Sequence, residues 1–154
     1  MSEIIIIKNE YADLVYHSDT QIVHHTFHQP IGGEKFREIL NAGARTLEEY
    51  KASKWLSDDR GNSALSPEDT EWSMTDWFPR AVNAGWKFWA LVVPEDLMAR
   101  MNLKEFVDSY YEQGLRIGVF TKPEEAMEWL MICDLPPSEW IGRLSGAQTK
   151  EEEK

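Results

Sequence analysis

The stretch WKFWALVV at residues 86–93 decides how the fold of this chain is interpreted, because it is apolar at almost every position. A strand covered on both faces has this pattern, whereas a strand with one solvent-exposed face alternates apolar and polar residues. Pro94 follows directly and ends the run, since proline cannot donate to the hydrogen-bond ladder of a central strand. The stretch therefore predicts a central strand of an α/β sheet.

A helical pattern precedes this strand. Ser66 is a good capping residue, Pro67 suits the first helical position, and the acidic residues that follow favour the positive end of the helix dipole. Gly85 is the expected stop, and Pro79 should kink or restart the helix. We therefore expect residues 66–85 to form a helix that is interrupted near Pro79.

The alternation of helix and strand continues after the central strand. Asn102 opens an amphipathic helix that should stop at Gly114, and residues 115–120 are predicted to form the next strand. Thr121 and Glu124 have the spacing of a capping box, which predicts one more helix. Strands that alternate with helices indicate parallel members in the sheet.

The N-terminal part has a different organisation. Residues 3–8, 12–16 and 20–28 are predicted to be three short strands in an antiparallel meander. Apolar residues at helical spacing predict a helix over 34–51, and KWLSD at 54–58 predicts a strand. The fold class is therefore α/β, with a mixed β-sheet made of the antiparallel meander and parallel strands, and with helices packed on it.

The expected domain organisation is simple. Residues 1–133 should form a single α/β domain, and residues 134–154 a C-terminal extension that is partly disordered. Within the extension, Trp140, Ile141 and Leu144 are expected to fold back or to dock on a neighbour.

Composition excludes several classes of partner. The net charge of −11 argues against a nucleic-acid backbone and against an anionic membrane surface, both of which need a basic face. Cys133 is the single cysteine, so the chain has neither an internal disulfide nor a Cys-based zinc site. The opening of the sequence is apolar for only four residues, at 4–7, and no run is long enough to span a membrane. We therefore expect a cytoplasmic protein without nucleic-acid binding or membrane insertion.

Four phrases, in this order behind a meander, resemble a widespread family of uncharacterised bacterial proteins: KWLSDDR (54–60), SPEDTEWSMTDWFPRAVNAG (66–85), KFWALVVPED (87–96) and GVFTKPEEAMEWL (118–130). That family is described as similar to the STAS domain of anti-sigma-factor antagonists and to the lipid-binding CRAL-TRIO fold. The resemblance covers about residues 10–131. It implies a STAS-like, non-enzymatic regulatory or protein-interaction domain that forms a homodimer or binds a protein partner.

The phosphorylation switch of STAS antagonists does not carry over to this chain. In those proteins a Ser or Thr is modified in a loop after a central strand, in an Asp-Ser-Ser/Thr-Gly pattern. The corresponding stretch, residues 57–63, lacks this pattern. Whether Ser57, Ser63 or Ser66 is phosphorylated stays open.

Polar and aromatic residues after the strand at 54–58 form the predicted site. Asp58 ends this strand, Asp59 and Arg60 follow it, and ligands of open α/β sheets gather outside the carboxyl ends of strands. Asp58 could act as a base or bind a cation, and Arg60 could clamp an anion, while the alternative is an ion pair within the loop and a turn that leads into the next helix. Trp55 and Trp72 could wall a pocket nearby. These five residues are the predicted ligand- or partner-binding set.

The four histidines, His17, His24, His25 and His28, have no assigned role. His24 and His28 share a strand face but lie about 13 Å apart at ~3.3 Å per residue, too far for one metal. We therefore expect no metal and no cofactor, and half-buried strand histidines that could make this edge pH-sensitive.

Three functions remain open. The first is the regulatory or interaction domain. The second is a small-molecule or lipid-binding module, with a pocket for a small apolar ligand at the carboxyl ends of the strands. The third is an enzyme that uses Asp58 or Asp59 with a histidine, which requires the two groups within hydrogen-bond reach. Known phosphate-loop, dinucleotide and nucleophile-elbow motifs are missing from the sequence.

Overall fold

The computed structural model describes residues 3–139 of the chain. Six strands form one sheet in which spatial order follows chain order: β1 (Glu3–Lys8), β2 (Ala12–His17), β3 (Ile22–Phe27), β4 (Lys54–Asp58), β5 (Phe88–Val92) and β6 (Arg116–Phe120). The pairs β1–β2 and β2–β3 are antiparallel, and the pairs β3–β4, β4–β5 and β5–β6 are parallel. The predicted mixed sheet, with an antiparallel meander beside parallel strands, is confirmed.

The helices are α1 (Gly33–Tyr50), α2 (Pro67–Trp72), a π-helical turn (Ser73–Trp77), α3 (Phe78–Asn83), α4 (Glu95–Arg100), α5 (Leu103–Tyr111) and α6 (Pro123–Ile132), followed by a 3₁₀ turn (Pro137–Glu139). Each parallel connection leads from one strand to its neighbour, always in the same direction across the sheet. Because such connections have the same handedness, their helices lie on the same face of the sheet. Accordingly, α1 to α5 contribute to a large core on one face of the sheet. Helix α6 covers the other face over β4, β5 and β6.

The central strands are buried on both faces, as the apolar run at 86–93 predicts. Every residue of β4 is buried. In β5, Leu91 belongs to the large core under α1 to α5, while Ala90 and Val92 belong to the small core under α6. The alternation of side chains along a strand explains this division.

The interruption expected near Pro79 takes the form of the π-helical turn. Pro79 has no N–H to donate to the carbonyl four residues earlier, so the regular ladder cannot pass through it. The chain widens instead, and the N–H of Phe78 donates to the carbonyl of Ser73, five residues before it. Turns of this kind are frequent at functional sites. Met74 lies in this turn and is 42 % exposed.

Two details differ from the sequence predictions. The expected cap of α6 at Thr121 is wrong: Lys122 is the N-cap residue and makes no side-chain cap bond, because Pro123 already fixes the first helical position. Helix α4 has no counterpart among the predicted elements; it follows Pro94 and begins with two acidic residues.

Most of the predicted C-terminal extension, including Trp140, Ile141 and Leu144, lies outside the described residues. None of the helices within residues 3–139 is long and apolar enough to cross a membrane.

Candidate functional site

A cavity of about 330 Å³ lies on the α1 to α5 side of the sheet, at the carboxyl ends of β3, β4 and β5. Eight aromatic side chains form much of its wall: Phe27, Phe36, Trp77, Phe78, Trp86, Trp89, Phe106 and Tyr110. Several of these rings meet edge to face, for example Trp77 with Trp86 and Trp89 with Tyr110. The cavity is at the small end of the size range of ligand pockets and is mainly apolar, as such pockets usually are.

The polar end of this cavity contains His25 and Asp59. The Nε2 atom of His25 lies 2.7 Å from Oδ1 of Asp59. The Nδ1 atom of the same ring lies 3.0 Å from the indole nitrogen of Trp55. An indole N–H can only donate, so Nδ1 must accept and carries no proton. His25 is therefore neutral in this arrangement, with its proton on Nε2, which it donates to the carboxylate.

Strand register brings these two residues together. His25 points to the α1 side of β3, between Val23 and Phe27, and pairs in register with Ser57 of β4. Asp59 follows β4 directly and donates its N–H to the carbonyl of Val92, 2.9 Å away. This bond holds the start of the loop against the end of β5, so the carboxylate faces the cavity.

A tight turn from Asp59 to Asn62 closes the polar end. The N–H of Asn62 donates to the carbonyl of Asp59 at 3.1 Å. Within this turn Gly61 is required, because a Cβ there would collide with the backbone carbonyl of Phe27. The chain can pass so close to β3 only without a side chain.

Asn62 supplies a donor that the described residues leave unused. It is 5 % exposed and lines the cavity. Its Oδ1 accepts the N–H of Ile31 at 3.3 Å, which fixes the orientation of the amide. Its Nδ2 is buried and has no hydrogen-bond partner. A buried donor in this state is destabilising unless a ligand or a water accepts its proton.

Asp58 and Arg60 lie apart from the cavity. Asp58 shares the α6 side of β4 with Leu56, since successive residues of a strand point to opposite faces. Its two oxygens accept from Nε and Nη2 of Arg60 at 2.9 and 2.8 Å. This hydrogen bonding raises the pKa of Arg60 above its usual value. The arrangement is the loop ion pair that we considered as the alternative to a ligand site.

The two predicted tryptophans also lie outside the cavity wall. Trp55 is fully buried behind the wall, where its ring contacts Trp77 and Trp86 and its indole N–H donates to His25. Trp72 is half-buried against Phe36, with the guanidinium of Arg37 4.9 Å from the centre of its ring. Of the five predicted site residues, Asp59 alone lines the cavity, and a ligand-binding role for the other four stays a prediction.

The remaining histidines face the other side of the meander. His17 Nε2 lies 3.0 Å from His24 Nδ1, and His28 lies 3.2 Å from Asp13. Burial lowers the pKa of His24 to about 4, with further lowering by the charge of His17. Between residues 3 and 139, no three or more His, Cys, Asp or Glu side chains are placed to hold a metal ion.

The contacts of His25 with Asp59 and Trp55 were not predicted from the sequence. Two local signals could have found them: the place of His25 on the apolar face of β3, and the position of Asp59 directly after the neighbouring strand. Asp59, and not Asp58, meets the geometric condition for an acid–base pair with a histidine. However, Trp55 occupies the second ring nitrogen, so His25 cannot accept a proton without losing that bond.

Compared with models of protein families, with curated proteins and with solved structures, the chain has no significant match. The resemblance to STAS-like domains therefore stays a prediction. Any functional proposal has to rest on the geometry of the cavity.

Proposed function

We propose that this chain is a binding module for a small amphipathic molecule. The apolar body of the ligand lies among the aromatic rings of the cavity, and its polar head contacts Asp59 and Asn62. The observation that supports this proposal most directly is the combination of an aromatic wall with one carboxylate and one unused amide donor at its end.

The energetics of the buried polar groups favour this proposal. Buried polar groups in folded proteins are nearly always hydrogen-bonded, and leaving one without a partner costs about 1–3 kcal/mol. Among residues 3–139, no group accepts from Nδ2 of Asn62. A ligand with an oxygen acceptor would remove this cost and would also withdraw apolar surface from water. The same groups thus provide affinity and orientation.

The test uses 2-phenylethanol, a neutral aromatic probe, and NMR of isotope-labelled protein. We expect shift changes at the indole N–H signals of Trp77, Trp86 and Trp89. Met74 borders the cavity at its exposed mouth, so Met74→Trp should block it and abolish these changes. Met131, which is 51 % exposed on α6, gives the matched control Met131→Trp, which should bind normally. Shift changes confined to the α6 side would contradict the proposal.

A self-associating, STAS-like regulatory domain is the second candidate, and the edge of the sheet favours it. Strand β1 is the first in the sheet order, so its outer edge is unpaired within residues 3–139. Ile4 and Ile5 on this strand are 36 and 59 % exposed. Exposed apolar edge strands are templates for pairing with another chain. We also propose a cytoplasmic location, because a chain whose single cysteine is Cys133 suits a reducing compartment.

Light scattering tests this second candidate. We expect a homodimer that dissociates when Ile5 is replaced by lysine, since a charge at an edge opposes pairing. Met131→Lys introduces the same charge at a similarly exposed position on α6 and should leave the dimer intact. A wild-type protein that is monomeric at high micromolar concentration would exclude self-association through β1.

A further inference from the structure

We propose that the head group recognised in the cavity contains an ammonium, which donates to Asp59, beside an oxygen that accepts from Asn62, so that the natural ligand is a hydrophobic amine with an aromatic or aliphatic body. This inference rests on the proposed binding function and specifies its ligand class. The evidence for it is the position of the charges and of the hydrogen-bond donors around the cavity.

The charge of the cavity has one sign. Among the lining residues that the structure describes, Asp59 is the one with a formal charge, and no Lys or Arg is present. His25 adds no positive charge, because the Trp55 indole N–H holds its Nδ1 unprotonated. A ligand carboxylate or phosphate would therefore meet a like charge in a largely apolar space, which is strongly unfavourable. A cation would meet an opposite charge.

The tryptophans offer ring faces and no free donors. The indole N–H of Trp77 donates to the carbonyl of Leu40 at 2.7 Å, and that of Trp86 donates to the carbonyl of Phe88 at 3.1 Å. The indole N–H of Trp89 donates to the hydroxyl of Ser57 at 3.0 Å. An anionic head group therefore finds no indole donor here. The electron-rich faces of these rings attract cations instead.

Asp59 has capacity for a second hydrogen bond. Its Oδ1 accepts from His25, whereas within residues 3–139 its Oδ2 has no hydrogen-bond partner. The side chain is 26 % exposed, so it is accessible from the cavity. The bond from neutral His25 orients the carboxylate without neutralising it. An ammonium N–H can then donate to Oδ2 in a charge-assisted hydrogen bond.

The experiment compares three probes with one aromatic body on the unaltered protein: 2-phenylethylamine, 2-phenylethanol and 3-phenylpropanoate, each titrated by calorimetry at pH 7. We expect the amine to bind about tenfold more tightly than the alcohol, and the carboxylate to bind most weakly. Asp59→Asn should weaken the amine about tenfold and change the alcohol less than twofold. Asp108→Asn removes the same charge from an exposed position on α5 and should change neither.

The outcomes separate the two proposals. If the alcohol binds as tightly as the amine, the cavity is a ligand site but the ammonium inference is wrong. If the carboxylate binds most tightly, the inference is also wrong. If none of the three probes binds, both proposals fail. The rank order on the unaltered protein decides these cases even if Asp59→Asn does not fold.

Discussion

His25 donates its Nε2 proton to Asp59 across 2.7 Å, although 34 residues separate the two in the chain. The contact lies between the large core and the cavity, since the indole N–H of Trp55 in that core donates to the other nitrogen of the His25 ring. The three side chains therefore form a chain of two hydrogen bonds, which runs from the buried indole of Trp55 through His25 to the carboxylate of Asp59.

Replacing His25 with phenylalanine should destabilise the protein. The ring volume is kept, but the N–H of Trp55 loses its acceptor and Asp59 loses its donor. We expect the free energy of unfolding to fall by about 2–3 kcal/mol, measured by urea denaturation. His28→Phe is the matched control, because His28 is 41 % exposed, and it should cost less than about 0.5 kcal/mol. Equal effects of the two substitutions would contradict the buried hydrogen bonds of His25.

Gly43→Ala should also destabilise, in contrast to the usual effect of this change in a helix. Alanine is normally favoured over glycine in a helix by about 1 kcal/mol. In α1, however, a Cβ at Gly43 would collide with the ring of Trp55. Overpacking of this kind costs about 1–3 kcal/mol. Urea denaturation shows whether the free energy of unfolding rises or falls. The control Glu38→Ala, on the exposed face of α1, should leave it nearly unchanged. A stabilised Gly43→Ala protein would show that Trp55 is loosely packed.

The protein should become less stable as the pH is lowered, because His24 is buried in its neutral form. Burial, followed by the charge of His17, lowers its pKa from 6.5 to about 4 in the folded state, against smaller raising effects of Asp58 and Asp13. Its contribution is therefore complete above the unfolded pKa, and it is lost as the pH falls from about 6.5 towards 4. Each pKa unit corresponds to about 1.4 kcal/mol, so between pH 7 and 5 we expect a loss of roughly 2 kcal/mol.

Urea denaturation of His24→Asn at the same two pH values measures this contribution. The variant should lose about 2 kcal/mol less than the wild type on going from pH 7 to 5. His28→Asn should keep the wild-type dependence, since His28 is substantially exposed beside Asp13. Parallel pH profiles for wild type and His24→Asn would disprove the role of His24.

Arg60→Gln tests whether the loop ion pair contributes to stability without contributing to ligand binding in the cavity. Asp58 is 3 % exposed, and the substitution removes its bidentate partner, so the free energy of unfolding should fall by about 1–3 kcal/mol. The affinity for 2-phenylethylamine should change less than twofold, because Arg60 does not line the cavity. A large loss of affinity in a folded Arg60→Gln protein would place the ligand at the originally predicted residues instead.

The fold could be predicted largely from local patterns. The apolar run at 86–93 marks a strand buried on both faces, and the alternation in β3 correctly separates His25 from His24. These predictions succeeded because strand and helix periodicity depends on which face is buried, and burial is written into the residue types. Helix α4 was missed because it is short and has no buried residue, so it produces no such pattern.

The site could be predicted only in part. The loop after β4 was identified, since the carboxyl ends of parallel strands are general ligand positions. Within it, Asp58 and Asp59 have the same chemistry, and the choice between them depends on which face each one meets after the strand ends. The partner of Asp59 depends on the register between β3 and β4, which pairs His25 with Ser57. Tertiary packing determines that register, and no local pattern in either strand specifies it.

The most direct test of the central claim is a crystal structure of the protein grown with 2-phenylethylamine. We expect the ring among Trp77, Trp86 and Trp89, and the amine nitrogen at about 2.7–2.9 Å from Oδ2 of Asp59, the range of charge-assisted hydrogen bonds. An amine bound elsewhere on the molecule, or a ring in the cavity with its nitrogen turned away from Asp59, would contradict it.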